Sequence, residues 1–215
     1  MSNLSDISTP LKLESKTTFS PVLVSESPVN KTPRRGNLTG NPRKIRDSAA
    51  DLFNQIQEWN NLCINGSTIL FKINAAKTNP QDNGQTSMQN IYPDGLQELC
   101  DQLEPIHHQM SVCVEKMMTT KSEVMGVVKL EVLKKTGDVP MFLTWPAQQF
   151  GETWTIITSA YKTELDLKTH IKENIAHTAD EDQRLFFITA WVNQPYVSTS
   201  VDTAIEALLK ETGHR

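Results

Sequence analysis

The chain of 215 residues has few cysteines and no long apolar run. Cys63, Cys100 and Cys113 lie far apart and none belongs to a Cys-x-x-Cys pair, which argues against a zinc site and favours reduced thiols in the cytosol or nucleus. No apolar stretch approaches the roughly 20 residues that span a bilayer. The N-terminus lacks the hydrophobic centre of a signal peptide. We therefore expect a soluble intracellular protein without a membrane segment.

The motifs of common enzymes are also missing. The sequence contains no Gly-x-x-x-x-Gly-Lys-Ser/Thr loop, no Gly-x-Ser-x-Gly elbow and no His-Glu-x-x-His helix. His170, Glu173 and His177 share a helix face, but lysines flank them and nothing supplies further ligands, so we do not expect a metal there. The acidic run at 180–182 fits the first turn of a helix, where negative charge complements the helix dipole. The sequence predicts neither an enzyme nor a cofactor.

What the chain does contain is a basic N-terminal segment ahead of an acidic remainder. Residues 1–46 carry eight Lys and Arg against three Asp and Glu, whereas the rest carries 13 against 22. Residues 1–41 are rich in Ser, Thr, Pro, Asn and Lys, and their few large apolar side chains cannot offset the entropy of ordering the chain. We predict a disordered tail over 1–41 and one helical domain over 42–215.

Four prolines of this tail follow a serine or a threonine. The candidate phosphorylation sites are Thr9, Ser20, Ser27 and Thr32. Thr9 and Thr32 also precede a basic residue two or three positions on, the pattern that cyclin-dependent kinases favour. Such pairs are equally typical of any linker rich in Ser and Pro, so both interpretations stay open. Phosphates at all four sites would add about −1.5 to −2 charges each and reverse the sign of the tail's charge.

A basic patch without acidic residues covers the end of the tail and the start of the predicted domain. It comprises Lys31, Arg34, Arg35, Arg43, Lys44 and Arg46, in two clusters around a neutral spacer. This arrangement is typical of a nuclear import signal, so we predict a nuclear protein. A plain solvated segment and chromatin association through DNA phosphates are the alternatives. Direct nucleic-acid contact is the least expected of these, because no aromatic residue lies between the charges to stack on bases.

Apolar residues recur every three or four positions along two long stretches. The first runs from Ile45 to Ile73 and the second from Leu96 to Val127. Such seams are typical of coiled coils. The segment between them, 77–95, is full of Asn, Asp, Gly and Pro and reads as a flexible connection. The two seams therefore predict a long antiparallel helical hairpin. The sequence leaves open whether this hairpin pairs with itself or with a coiled coil of another protein.

Three further helices are predicted after the hairpin. The third opens at 144–146 with Thr-Trp-Pro. The fourth starts at 179 behind a capping box of Thr178 and Glu181, carries Leu185, Phe186, Ile188 and Trp191, and ends before Gln194-Pro195. The fifth ends at Gly213. These helices should cover the apolar residues off the seams, which are Phe53, Ile64, Phe71, Met118 and Met125. The predicted fold is all-α, a coiled-coil-like hairpin packed with a C-terminal bundle of three helices.

The C-terminal third is the most distinctive part of the sequence. It reads Phe-Leu-Thr-Trp-Pro at 142–146, Ala-His-Thr-Ala-Asp-Glu at 176–181 and Trp-Val-Asn-Gln-Pro-Tyr-Val at 191–197, and ends in Leu-Leu-Lys-Glu-Thr-Gly-His-Arg. With Pro-Arg-Lys-Ile-Arg-Asp-Ser-Ala-Ala-Asp at 42–51 and Trp59, it resembles the cyclin-dependent kinase 2-interacting protein family. The resemblance covers about 42–63 and 142–215, whereas the tail and 64–141 depart in detail.

This resemblance implies a nonenzymatic nuclear adaptor without a cofactor. Family members are linked to S-phase cyclin-dependent kinase, to origin and helicase components and to the checkpoint kinase's interacting subunit. They are also associated with a AAA-type ATPase assembly that acts in large ribosomal subunit maturation and at replication forks. Aromatic and polar residues beside loops are the candidates for partner binding. These are Trp145, Gln194, Pro195, Tyr196, His214 and Arg215.

Overall fold

The computed structural model describes residues 38–78 and 92–215, and the regular elements in these ranges are five α-helices. They are α1 (Asn41–Thr78), α2 (Leu96–Leu133), α3 (Ala147–Asn174), α4 (Glu181–Asn193) and α5 (Thr199–Glu211). The predicted all-α class is confirmed. None of the helices in these ranges is long and apolar enough to cross a membrane. The four candidate phosphorylation sites, most of the predicted disordered tail and the first half of the basic patch lie outside the described residues.

The three long helices lie side by side in alternating directions. The side-chain amide of Asn41 donates to the carboxylate of Glu131, which places the start of α1 beside the end of α2. The ammonium of Lys172 donates to Glu104 Oε2 at 2.8 Å, which places the end of α3 beside the start of α2. The predicted antiparallel hairpin of α1 and α2 is therefore correct, and α3 continues the same alternation.

α4 and α5 together form a broken fourth column in the groove between α1 and α3. Trp191 Nε1 donates to the Cys63 carbonyl oxygen at 3.0 Å, and Arg184 Nε donates to Asn74 Oδ1 at 2.9 Å. Residue numbers thus rise along α1 as they fall along α4, so these two helices are antiparallel. Both α4 and α5 contact α1 and α3, and neither contacts α2. α1 and α3 therefore each lie between α2 and the broken column.

The seams meet in one core. All nine positions of the predicted α1 seam, from Ile45 to Ile73, are buried, as are most of those on α2. The rings of Trp59 and Tyr161 touch edge to face with centroids 5.4 Å apart, in the geometry that aromatic pairs prefer. The seam prediction is confirmed, because a repeat of three and four residues keeps one face of each helix turned inward.

The start of the fourth helix differs from the prediction. It begins at Glu181 rather than 179, and its cap is Asp180, whose Oδ1 accepts from the Asp182 N–H at 3.1 Å. The hydroxyl of Thr178 instead donates back to the Asn174 carbonyl oxygen at 2.9 Å. The capping box was wrong because the Thr178 hydroxyl is already used where α3 ends.

The cover predicted for the off-seam apolar residues is also incomplete. Several residues that were predicted to be buried are exposed to solvent. They are Ile64, Phe71, Met118, Leu185 and Phe186. Phe53 and Met125 are half-buried. α4 turns Arg184, Phe187 and Trp191 inward instead, so the outer flanks of α1 and α4 keep their apolar residues in solvent.

Candidate interaction surface

One end of the bundle gathers cations from three helices. At this basic end α1 and α3 begin and α2 and α5 end. The cations there are Arg43, Lys44, Arg46, Lys129, Lys134, Lys135, Lys210 and Arg215. Asp47, Glu131 and Glu206 each pair with one or two of them, at 3.3 to 3.7 Å. Such exposed pairs are worth about 0–1 kcal/mol, so the surface stays available to an acidic partner.

The basic end extends what the sequence predicted. Arg43, Lys44 and Arg46 belong to the predicted basic patch, whereas the cations of α2 and α5 were missed. Lys129, Lys134 and Lys135 come together with the patch only because α2 is antiparallel to α1. The predicted hairpin already contained that signal, since it places the end of the second seam beside the start of the first.

The opposite end of the bundle is acidic. Its carboxylates are Asp94, Glu98, Asp101, Glu104, Glu173, Asp180, Glu181 and Asp182, against the cations Lys72, Lys77, Lys172 and Arg184. The acidic run at 180–182 lies at the start of α4, as predicted, where it complements the helix dipole. A charge distribution of this kind steers an acidic partner toward the basic end before contact.

Trp145 lies at the basic end and is half-buried. The Trp145 ring touches Phe150 edge to face with centroids 5.2 Å apart, and the backbone N–H of Trp145 donates to Glu211 Oε1 at 2.8 Å. The same buried carboxylate accepts from the N–H of Thr144 at 2.6 Å and from its hydroxyl at 3.0 Å. Glu211 therefore ties the segment before α3 to the end of α5 and fixes how Trp145 is presented.

The two last residues reach back to the start of α1. His214 Nε2 lies 2.9 Å from the Arg46 carbonyl oxygen and donates to it. The guanidinium of Arg215 lies over the Phe53 ring, 5.6 Å from its centroid, and 3.5 Å from Glu206 Oε1. The structure thus brings three of the predicted partner-binding residues, together with half of the basic patch, to one end of the bundle.

The Gln194-Pro195-Tyr196 turn lies apart from this end, at the break between α4 and α5. Gln194 adopts a left-handed conformation with φ of 47°, and its Oε1 accepts from Trp59 Nε1 at 2.6 Å. The N–H of Tyr196 donates to Glu164 Oε2 at 3.0 Å, while its side chain is half exposed. Gln194 is therefore engaged in the fold, and Pro195 and Tyr196 present the surface of this turn.

A buried ion pair beneath this turn was missed by the sequence reasoning. Lys168 Nζ lies 2.5 Å from Glu164 Oε1, both side chains are inaccessible to solvent, and Lys168 also donates to the Trp191 carbonyl oxygen at 2.6 Å. Burial lowers the pKa of Lys168, and the bond to Glu164 opposes that shift. The signal was present, since both residues lie on the same helix face as Tyr161 and Ile171.

The cysteines and histidines among the described residues are the next candidates for chemistry. Burial raises the pKa of the Cys63 thiol to about 12 and also raises the pKa values of Cys100 and Cys113, so nucleophilic thiolates are disfavoured. His170 lies edge to face on Phe187, and His177 Nδ1 is 3.1 Å from the Tyr92 hydroxyl. Over 38–78 and 92–215, no cluster of three or more His, Cys, Asp or Glu could hold a metal ion.

Comparison with known proteins gives no matching family model. Individual relatives are nevertheless similar over nearly their whole length. A mouse protein is 32% identical over 86% of this chain and 95% of its own length, and a Xenopus laevis protein is 33% identical over 89% and 98%. A human protein is 31% identical over 86% and 95%. All three are named cyclin-dependent kinase 2-interacting protein. The chain belongs to the cyclin-dependent kinase 2-interacting protein family.

The comparison also shows how far along the chain the similarity extends. The resemblance rested on about 42–63 and 142–215, whereas the match to the Xenopus laevis member of the family covers 89% of the chain. A match of that extent must include much of 64–141, and therefore parts of α1 and α2. The similarity to the family therefore extends beyond the C-terminal third of the chain.

Proposed function

We propose that this chain is a nonenzymatic nuclear adaptor that binds an S-phase cyclin-dependent kinase and links it to replication and checkpoint factors. The observation that carries the proposal is the similarity, over nearly the whole length of each relative, to proteins named for interaction with cyclin-dependent kinase 2. We extend the adaptor role to origin and helicase components, to the checkpoint kinase's interacting subunit and to a AAA-type ATPase assembly. Its processes would be large ribosomal subunit biogenesis and replication-fork maintenance.

The basic end is the surface that we assign to the kinase or its cyclin. It combines exposed cations with Trp145, a large aromatic side chain of the kind enriched in binding hot spots. The cations come from separate helices and are held in a fixed arrangement by the bundle. Such an arrangement is complementary to an acidic surface on a folded partner. The surface needs no enzymatic group of its own, which agrees with an adaptor.

The tail joins the bundle at this same end, because α1 begins there. Phosphorylation of Thr9, Ser20, Ser27 and Thr32 would add negative charge to a segment whose attachment point is surrounded by cations. The reversed charge would change which partners the tail attracts. Kinase activity would in this way regulate the adaptor's own binding. The first half of the basic patch would serve nuclear import.

The test uses the purified full chain and the purified kinase with its cyclin, so that import plays no part. Exchanging Arg43, Lys44 and Lys135 together for glutamate should lower the affinity at least tenfold, because the reversed charges repel an acidic partner. The matched control exchanges Glu98, Asp101 and Asp182 for lysine at the acidic end and should leave the affinity unchanged. Equal loss in both variants, or none in the first, contradicts the assignment.

Chromatin association through the basic patch is the second candidate, and the gathering of cations at one end favours it. DNA binding of this kind depends on counterion release, so its affinity falls steeply with salt. Neutralising Arg34, Arg35, Arg43, Lys44 and Arg46 in the full chain should then abolish binding to duplex DNA of any sequence. If chromatin association persists after that change, this candidate is wrong.

A further inference from the structure

The outside of the α1–α4 pair carries an apolar surface that the basic end does not include. We name it the α1–α4 groove and define it by Ile64 and Phe71 on α1 and Leu185 and Val192 on α4. Their exposed fractions are 64%, 53%, 41% and 50%. Single exposed apolar residues are ordinary on a protein surface, but a group on two packed helices indicates a binding site.

Two contacts fix how the walls of this groove are aligned. Trp191 packs on Gly66, and Arg184 binds Asn74, so the two helices are antiparallel in a defined register. In that register the two groove residues of α4 lie level, within about one turn, with the two on α1. At 3.6 residues per turn, both pairs lie on flanks that face the same side of the helix pair. The four side chains therefore line one continuous groove.

The spacing of the walls fits a helix. On each wall the two apolar residues are seven positions apart, which is two turns or about 10 Å. Apolar residues that repeat every seven positions on two neighbouring helices form the holes into which a third helix inserts its own seam. This is also the geometry by which amphipathic helices bind hydrophobic grooves.

The α1 wall is free of charge over a long distance. From residue 49 to residue 78 the positions on this flank are Phe53, Gln57, Asn60, Ile64, Ser67, Phe71, Ala75 and Thr78. The charged residues of this stretch, Asp51, Glu58, Lys72 and Lys77, occupy other sides of the helix. Interface centres are depleted of charged residues, because a buried charge without a partner is costly. An apolar helix seam can therefore lie on this flank without burying a charge.

The two ends of the groove carry opposite charges. Glu181 lies on the same flank of α4 as the groove residues, and its carboxylate accepts from the Thr78 hydroxyl at 3.4 Å. Asp180 and Asp182 adjoin it, and all three are exposed. At the other end, Arg215 covers the half-buried Phe53 ring. A complementary occupant has cations at the end that meets Glu181.

Area argues against a second copy of this chain as the occupant. The four groove residues expose on the order of 400 Å² of apolar surface, about half of the 800 Å² per partner that a standard interface buries. Two copies packed groove against groove would fall short of that area. A single amphipathic helix presents only one apolar stripe, so a surface of this size matches its whole apolar face.

We propose that the α1–α4 groove binds an amphipathic helix of another protein, with apolar residues at heptad spacing and Lys or Arg in the terminal turn beside Glu181. The proposal rests on the adaptor function, to which it adds a second binding surface and the chemistry of its ligand. The basic end would hold an acidic partner while the groove holds a helix.

The test is a selection from displayed peptides on the purified full chain. The peptides have 21 residues, which at about 1.5 Å per residue covers the α1 wall from Gln57 to Thr78. Seam positions vary among apolar and polar residues, and both terminal turns vary among Lys, Arg, Glu and Gln. We expect enrichment of apolar seams with Lys or Arg at one terminus. Phe71→Asp or Val192→Asp should then lower the affinity for an enriched peptide at least tenfold.

Two matched variants control for a surface aspartate elsewhere. Ile156 on α3 has the same 53% exposure as Phe71, and Phe186 is 66% exposed on the outer face of α4, outside the groove. Ile156→Asp and Phe186→Asp should keep the affinity within twofold, and thermal unfolding checks that all four variants are folded.

Three results would overturn the proposal. These are no enrichment, enrichment without a basic terminus, or equal losses in the groove and control variants. Light scattering tests the self-association alternative. If the free chain is a dimer that Phe71→Asp converts to a monomer, the groove binds a second copy and the proposal fails. The peptide selection contains no kinase, so a negative result there does not contradict the proposed adaptor function. A negative result in the kinase-binding test likewise does not contradict peptide binding in the groove.

Discussion

α2 and the broken column each pack on both α1 and α3, but they are held there by different means. α2 is one helix of 38 residues whose buried positions are almost all apolar, and its polar contacts lie at its exposed edges. α4 and α5 have 13 residues each, and buried polar groups hold them in place. These groups are Glu164, Lys168, Arg184 and Glu211. The long apolar seam of α2 holds that helix in place without a specific polar contact. The two short helices depend on the few buried polar contacts just named.

This difference has an energetic basis. A long apolar face gains stability from area, and each residue contributes a similar amount. A short helix with four or five buried residues gains less, and its ends leave backbone groups that must find partners. Two of these backbone groups lie where α4 ends and α5 has not yet begun, and the Glu164–Lys168 pair binds both of them. Lys168 donates to the Trp191 carbonyl oxygen, and Glu164 accepts from the Tyr196 N–H.

The largest effect should come from breaking the buried pair. Glu164→Ala leaves the Lys168 ammonium buried without its carboxylate, and removal of one partner of a buried pair costs about 3–5 kcal/mol. We expect a loss of that size in the free energy of unfolding, measured by urea denaturation. The double variant Glu164→Leu with Lys168→Met should recover much of the loss, because no charge remains buried. A loss below about 1 kcal/mol in the single variant would show that the broken column does not depend on this pair.

A smaller effect should distinguish one glycine on each side of the bundle. A methyl group added at Gly66 would clash with the ring of Trp191, and this ring has no free space into which it could shift because it is fully buried. Gly66→Ala should therefore destabilise the chain by about 1–3 kcal/mol, as overpacking does. Gly126 on α2 has open space around it, so Gly126→Ala should stabilise by about 0.5–1 kcal/mol through helix propensity alone.

The two glycine variants are expected to change the free energy of unfolding in opposite directions, and that difference in sign is the most informative result. Thermal or urea unfolding of both proteins under one condition gives the comparison directly. If Gly66→Ala is stabilising as well, then α4 is packed on α1 more loosely than the Gly66–Trp191 contact implies, and the broken column would yield to substitution as easily as the surface of α2.

The same contrast explains what could be predicted from the sequence. The helix order, the hairpin and the end of α4 before Gln194-Pro195 follow from local signals, namely apolar periodicity and the restriction that proline imposes. The buried pair shares a helix face with Tyr161 and Ile171, but a Glu and a Lys four positions apart are ordinarily a solvent-exposed pair, so this signal was missed. Ile64 and Phe71 stayed exposed because the side of α1 that α4 covers is set by tertiary packing.

The candidate site was predicted less well than the fold. Their position beside loops predicted Trp145, His214 and Arg215 as binding residues, and in the structure all three lie at the same end of the bundle as Arg46, whose carbonyl oxygen accepts from His214. The cations of α2 and α5 that complete this end are separated from Arg46 by more than 80 residues in sequence. Only the directions of the helices bring them together.

The smallest predicted effect tests the polar edge of the α2 side. His107 Nε2 is 2.9 Å from Thr169 Oγ1, and its pKa is lowered mainly by burial and further by nearby Lys172 and His108, against the opposite effect of Glu104 and Glu173. A folded pKa below the unfolded value of about 6.5 means that the unfolded chain binds more protons in that window. Stability from this residue is therefore complete above pH 6.5 and is lost as the pH falls below it.

The expected loss between pH 7.5 and 5.5 is modest, with a slope of at most about 1.4 kcal/mol per pH unit, the ceiling for one proton. His107→Gln should flatten this part of the pH dependence of the free energy of unfolding, and His108→Gln should change it less, because His108 makes only a minor contribution to the lowered pKa of His107. The lowered pKa of Glu104, caused mainly by its hydrogen bond from Lys172, acts below this window and does not interfere. If both variants behave like the unmodified chain, α2 is held by its apolar seam alone, which would make the contrast with the broken column complete.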